Sequence, residues 1–339
     1  MSGTRRGFIT GGCWCVDQNK TLPFWPQEDT AVTVSSMVRS GGGSGCNFAI
    51  DMRCLDAEMP VATIGLVGDD DDGWFLIREA EKYGVNHQRL QVSNAAPTMF
   101  TEAFNSQASG LRTHIVNRGT ADLLSPDHFD FSTVQERILH LGLPSLHATM
   151  DSPWRGDANG WVTVLRKAKD AGLQTNLELV STSAAQLREL ALPCLPYLDT
   201  LVVNDFEIGA LADMPVSCDG HTDPQACSTA ARKVLEAGNM QVVVVHFVEG
   251  AVLVSRDGDT IHQPSVKVPD SEYRGANGAG DAFASGFLYG WHEGRDYQRA
   301  LQLGHAAAAA SLRSEQTNGA VLPVAECLAL ADEWGWRDN

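Results

Sequence analysis

The sequence predicts an α/β fold: a central, mostly parallel sheet flanked by helices on both faces. Three observations predict it. Apolar β-branched runs such as Gln241-Val-Val-Val-Val-His-Phe247 lack polar alternation, as strands covered on both faces require. Segments with helical patterning separate these runs along the chain. Glycine stops such as Gly84 and Gly238 close those helices before the next strand begins.

In chain order, Gly7 to Val16 reads as a buried first strand. Val61 to Val67 is the next, followed by a helix from Trp74 to Tyr83. Ile138 to Leu141 precedes a helix from Trp161 to Ala171 and a strand from Leu173 to Leu177. Thr200 to Val203 runs into a short helix at Asp205, and a helix from Pro224 to Ala237 leads into the valine run. The last third is helical, over Gly278 to His292, Tyr297 to Leu312 and Val324 to Trp334. The five alanines Ala306 to Ala310 allow a neighbour to pack very closely. No repeat or low-complexity linker interrupts residues 1–339, so a single catalytic domain is expected.

Two stretches depart from this pattern. Thr21 to Arg39 and Pro97 to Asn117 contain short alternating segments, such as Ala31-Val-Thr-Val-Ser-Ser-Met37 and Arg112-Thr-His-Ile-Val116. Alternation marks half-buried antiparallel strands, here either a small separate β-sheet over about residues 18–40 and 92–118 or an edge extension of the main sheet. Such a sheet standing over a cleft would act as a lid that excludes water.

The charge balance excludes some partners. Forty-two acidic against 25 basic residues give a net charge of −17, with no basic stripe, so nucleic acid is not expected to bind. Thr4-Arg5-Arg6-Gly7-Phe8-Ile9 has the look of a twin-arginine export signal, but Asp17, Asn19 and Lys20 arrive too early for an apolar core to follow. No run approaches the roughly 20 apolar residues that span a bilayer. The eight cysteines include no Cys-x-x-Cys pair, and they read as reduced thiols of a soluble cytoplasmic protein with no membrane partner.

The chemistry is concentrated in Arg274-Gly-Ala-Asn-Gly-Ala-Gly-Asp-Ala-Phe-Ala-Ser-Gly-Phe287. The small residues leave the amides of Gly278, Ala279 and Gly280 unshielded at a helix start. Free amides and the positive end of the helix dipole make an anion hole suited to a phosphoryl group. Asp281 then falls in the first helical turn, where it could take a proton from an attacking hydroxyl. No Gly-Lys-Ser/Thr follows, so the loop is not a Walker loop. Gly11-Gly12-Cys13-Trp14-Cys15-Val16 also lacks the Gly-x-Gly-x-x-Gly spacing of a dinucleotide site. The acidic run Gly68-Asp-Asp-Asp-Asp-Gly73 suits a strand-to-helix loop with a capping aspartate better than a metal site.

Gly278-Ala279-Gly280-Asp281-Ala282-Phe283 resembles the second signature of the PfkB/ribokinase family of carbohydrate kinases. Gly42-Gly43-Ser44-Gly45-Cys46-Asn47 resembles the first. Asp17 matches the family aspartate that holds two substrate hydroxyls, and Asn204-Asp205-Phe206-Glu207 is similar to the family's Asn-x-x-Glu. The matches occur in family order, from about Gly7 to about Pro323. The resemblance implies a ribokinase-like fold that moves the γ-phosphate of ATP to a hydroxyl of a sugar or sugar-like acceptor. Asp281 would be the base, with Asp17, Gly42, Gly43 and Asn47 around the acceptor. Asn176, Asn204, His246, Gly250 and His305 would face ATP, and Glu207 would help organise Mg²⁺ indirectly. Lid-to-lid homodimers occur in the family, so one is possible here.

Three positions depart from the family pattern. Gly275-Ala276-Asn277 replaces the usual Asp-Thr pair, whose aspartate helps hold a monovalent cation, so K⁺ activation is expected to be weak or absent. His246-Phe247-Val248-Glu249-Gly250 stands where Thr-x-Gly is usual, which alters the nucleotide side. Ser44 and Cys46 match neither a ribokinase nor an adenosine kinase pattern. Two alternatives stay open: an adenosine-type nucleoside kinase, with Phe24, Trp25, Phe100 or Phe104 stacking on a base, and a non-catalytic sugar- or nucleotide-binding sensor.

Overall fold

The computed structural model describes residues 5–109, 111–218 and 220–338. The chain begins with β1 (Phe8–Gly12), β2 (Cys15–Leu22), β3 (Ser36–Gly42), α1 (Ser44–Leu55), β4 (Val61–Gly68), α2 (Asp71–Lys82) and β5 (Asn86–Ser93). It continues through β6 (Phe100–Ser106), β7 (Arg112–Asn117), β8 (Ile138–Gly142), α3 (Ala148–Asp151), α4 (Gly160–Asp170), β9 (Gln174–Leu177) and α5 (Ala184–Ala191). Then come β10 (Thr200–Asn204), α6 (Asp205–Ala212), the two-residue strands β11 (Ser217–Cys218) and β12 (His221–Thr222), α7 (Pro224–Glu236), β13 (Val242–His246), β14 (Gly250–Ser255) and β15 (Thr260–Pro264). Helices α8 (Ala279–His292), α9 (Tyr297–Ser311) and α10 (Val324–Trp334) complete it.

The main sheet has the order β15-β14-β13-β10-β9-β8-β1-β4-β5. It is parallel from β5 through β13, and only β14 and β15 pair antiparallel. Its two faces carry separate cores. Val243 and Val245 pack among α4 to α7, whereas Val242 and Val244 pack among α1, α8 and α9. Burial on both faces is why the valine run shows no alternation. A second sheet, β3-β2-β6-β7, stands apart. Asp70 caps α2, accepting from the Gly73 amide at 2.8 Å and from Thr98 Oγ1 at 2.6 Å, which accounts for the acidic run as a capped loop.

Helices α8 and α9 approach closely. A Cβ on Gly286 would lie 2.6 Å from the Leu303 carbonyl oxygen, so this contact requires glycine, and Ala306, Ala307, Ala309 and Ala310 are buried beside it. That packing fixes the direction in which α8 points its N-terminus.

Two expectations are corrected. The first strand does not run from Gly7 to Val16: β1 ends at Gly12, whose φ is 111°, and the chain enters the small sheet at Cys15. A Cβ on Gly12 would lie 1.6 Å from the Gly142 carbonyl oxygen, so the backbone turns away there. The alternating Ala31–Met37 segment is a strand only at its end: residues 23–35 form no regular element, and Ser36 and Met37 begin β3. The small sheet is built instead from β2 and β3, starting earlier than residue 18, with β6 and β7. Its central β2–β6 pair is parallel rather than antiparallel.

Candidate active site

Helix α8 begins at Gly278, whose φ of 70° suits glycine, and a Cβ there would lie 1.8 Å from the Thr317 carbonyl oxygen. This helix start is the wall between two cavities. Ala279 and Gly280 line a cavity of about 620 Å³. Gly278 and Asp281 line the other, of about 450 Å³, beneath the small sheet. Ser181 lines both. Ala279 and Gly280 thus share a helical turn with Asp281 but line a different cavity.

The smaller cavity gathers the first group of expected residues. Asp17, Gly43, Asn47, Gly278 and Asp281 all line it. Gly42 lies beside it, and a Cβ there would fall 2.2 Å from Asp17 Oδ2. Thr317 Oγ1 donates to the same Asp17 oxygen at 2.9 Å. Asn47 Nδ2 donates to Asp281 Oδ2 at 3.1 Å. The orientation of this amide is fixed from behind, since Asn318 Nδ2 donates to Asn47 Oδ1 at 2.7 Å.

Glu178 is the important residue that the sequence reading missed. It lines the same cavity, just past the end of β9, and is hydrogen-bonded to Asp281. Burial and the Glu178 charge hold the Asp281 carboxyl well above the usual carboxylate range. Burial pushes Glu178 up to about 7. A chain of donors supports Glu178. Thr200 Oγ1 donates to Asn176 Oδ1 at 3.1 Å, Asn176 Nδ2 donates to His140 Nδ1 at 3.0 Å, and His140 Nε2 lies 2.5 Å from Glu178 Oε2. With Nδ1 accepting, the neutral ring carries its proton on Nε2. Burial keeps His140 neutral, lowering it to about 3, and Phe48 stacks on the ring at 3.9 Å.

Asn176 is therefore a correction. It was expected at the ATP phosphates, but it is fully buried, lines neither cavity, and anchors the chain behind Glu178. No motif marks Glu178, which directly follows the last residue of β9.

The larger cavity holds Asn204, His246 and His305. The His246 and His305 rings flank Phe283 at centroid distances of 5.0 and 4.9 Å, and burial lowers them to about 4 and about 3, so both are neutral. Gly250 does not line this cavity. It closes the β13–β14 hairpin through reciprocal backbone hydrogen bonds with Phe247, and Val248 at the tip faces the cavity instead. Asn204 and Glu207 form a capping box on α6: Asn204 Oδ1 accepts from the Glu207 amide at 2.9 Å, and Glu207 Oε2 from the Asn204 amide at 3.0 Å. Ser181 Oγ donates to Glu207 Oε1 at 3.1 Å, and burial raises the Glu207 carboxyl. Both Glu207 oxygens are engaged, and no three His, Cys, Asp or Glu side chains cluster as a metal site among the described residues.

A family model described as pfkB family carbohydrate kinase matches residues 15–324. The chain belongs to that family. This carbohydrate kinase is 27% identical over 304 residues to the ATP-dependent ribose-1-phosphate kinase of Halopiger xanaduensis, covering 90% of each chain. It is 27% identical over 342 residues to the 5-dehydro-2-deoxygluconokinase of Shouchella clausii, covering 98% of each. The adenosine kinase of Saccharomyces cerevisiae is 28% identical over 279 residues, covering 80% of this chain and 77% of that one. Among solved structures, Arabidopsis thaliana ribokinase complexed with ribose and ATP superposes with a TM-score of 0.78 at 21% identity, covering 97% of this kinase and 99% of that chain. Thermotoga maritima ribokinase gives 0.77 at 22% identity, covering 96% and 99%. The ribokinase-like fold follows from these superpositions. Among the described residues, no helix of the kinase is long and apolar enough to cross a membrane.

Proposed function

We propose that this kinase transfers the γ-phosphate of ATP to a hydroxyl of a sugar or sugar-like acceptor, with Asp281 as the general base. The observation that carries this reading is the start of α8 standing between two cavities, with Ala279 and Gly280 facing one and Asp281 the other. ATP in the larger cavity would lay its terminal phosphate on those amides, where the helix dipole favours negative charge. An acceptor held by Asp17 would bring a hydroxyl to Asp281. Asn47 donates to Asp281 and so favours its ionised form. The small sheet serves as the lid, keeping water from competing for the phosphoryl group.

Mg²⁺ arriving with ATP supplies neutralisation of phosphate charge. The Asn204–Glu207 box suits an indirect part in this, because Glu207 has both oxygens occupied by protein donors. The proposed place of action is the cytoplasm, where ATP is abundant.

A sugar-like acceptor is favoured over a nucleoside by the lid aromatics. None of Phe24, Trp25, Phe100 and Phe104 lines the acceptor cavity, and Trp25 packs edge-on against Phe104 at 5.8 Å. A silent sensor would have no use for a carboxyl pair on the acceptor side of this helix start. The test is ADP release with ATP and a panel of sugars, polyols and nucleosides. Acceptor-dependent release is expected, and release that no acceptor stimulates contradicts the reading.

A further inference from the structure

The charges facing the acceptor cavity are one-sided. Asp17, Glu178, Glu207 and Asp281 line it, and no lysine or arginine stands among its described lining residues, His114 being the one basic side chain. Two cations on the lid strands are engaged in ion pairs: Lys20 with Glu102 and Arg39 with Asp72. The neutral polar groups point the same way. Asn19 Nδ2 and Ser44 Oγ belong to lining residues only 6% and 1% exposed, and neither atom has a hydrogen-bond partner. Buried polar atoms are ordinarily satisfied, so these two leave spare hydrogen-bonding capacity in the cavity wall.

Hydroxyl groups fit that capacity. They donate to the carboxylates and accept from Asn19 Nδ2, while Ser44 Oγ can do either. A phosphate or carboxylate on the acceptor would instead bring negative charge beside four acidic groups with no lysine or arginine to offset it, at a spacing where low local dielectric magnifies repulsion. Glu178 is central to that field, because the His140 Nε2 contact holds it in place beside Asp281.

We propose that the acceptor is an uncharged polyhydroxy compound, and that Glu178 sets this choice by rejecting acceptors that carry phosphate or carboxylate. The proposal deepens the kinase reading and rests on it. It separates this chain from a phosphorylated acceptor of the kind that the Halopiger relative's name states.

The test uses the full chain and matched pairs at constant ionic strength: ribose with ribose 1-phosphate, glucitol with gluconate, and adenosine with AMP. ADP release measures turnover, and the Tm shift with a non-hydrolysable ATP analogue measures acceptor binding without turnover. In any pair that turns over, kcat/KM should favour the neutral member by about 100-fold, and Glu178→Gln should narrow that ratio at least about fivefold by lowering KM for the anionic member. An anionic member used as well as its neutral partner overturns the proposal, and an unchanged ratio in Glu178→Gln overturns the role of Glu178. Tm shifts with neutral members alone, without turnover, would keep the charge choice and contradict the kinase reading. No shift and no turnover with any member overturns both. Should Glu178→Gln fail to fold, the wild-type pairs still decide the charge preference.

Discussion

Glu178 and Asp281 line one cavity and act on each other's titration, two carboxyl groups beside the amides of one helix N-terminus. Like charges this close do not both ionise readily, so the pair retains a proton well above the usual carboxylate range. A base must be ionised to act, and the chemistry is therefore tied to that pair's titration.

The first prediction concerns pH. Both carboxyls are raised, Asp281 by burial and then by Glu178, so the competent base appears only as pH rises toward and past neutrality. kcat/KM should accordingly climb through the neutral range rather than level off near pH 5. Glu178→Gln removes the like charge and should move this limb down by at least about half a pH unit. A pH–rate profile identical to wild type would show that the pair does not govern the base.

The Asn47 amide donates to Asp281 and so favours its ionised form against burial and the Glu178 charge. Asn47→Ala should lower kcat by about 10- to 100-fold with a smaller change in acceptor KM. Asn318→Ala should cost less, because it only releases the Asn47 amide to rotate. Steady-state kinetics on both variants test the order of these effects.

Gly42 leaves room for Asp17. In Gly42→Ala the new methyl would fall 2.2 Å from Asp17 Oδ2 and displace the carboxylate. The acceptor KM should rise by about tenfold while the KM for ATP stays near wild type, because Gly42 does not line the larger cavity. Equal effects on both KM values would place the damage elsewhere.

Much of this was legible in the sequence, and what was not has physical causes. The valine run and the glycine-stopped helices announce a doubly covered sheet because burial on both faces erases alternation. The Gly-Ala-Gly-Asp helix start is local, and local chemistry reads directly. Residues 31–35 misled because alternation reports a periodic face and not a partner strand, and pairing with β2 begins only at Ser36. The break at Gly12 depends on the carbonyl of Gly142, 130 residues away by the numbering, and no window on the chain contains both. Glu178 is the sharpest case: a single glutamate after a strand has no spacing signature. Asn176 shows the converse, a motif-like residue whose side chain turns inward to His140.

Gly275 bears on the fourth prediction. In the family pattern that this loop resembles, an aspartate at this position helps hold a monovalent cation, and glycine supplies no carboxylate. Initial rates with and without K⁺ at constant ionic strength should differ by less than about twofold, whereas the usual family aspartate would supply a ligand with hard oxygens. Several-fold stimulation by K⁺ would mean that other oxygens in the loop suffice.

The central claim is that Asp281 takes the proton from the acceptor hydroxyl. Asp281→Asn keeps the size and the hydrogen-bonding capacity of the side chain and removes the base. On the best acceptor found, with the Tm measured alongside to verify folding, kcat should fall by about 10²- to 10⁴-fold. A folded Asp281→Asn protein that phosphorylates this acceptor at the wild-type rate would contradict the account.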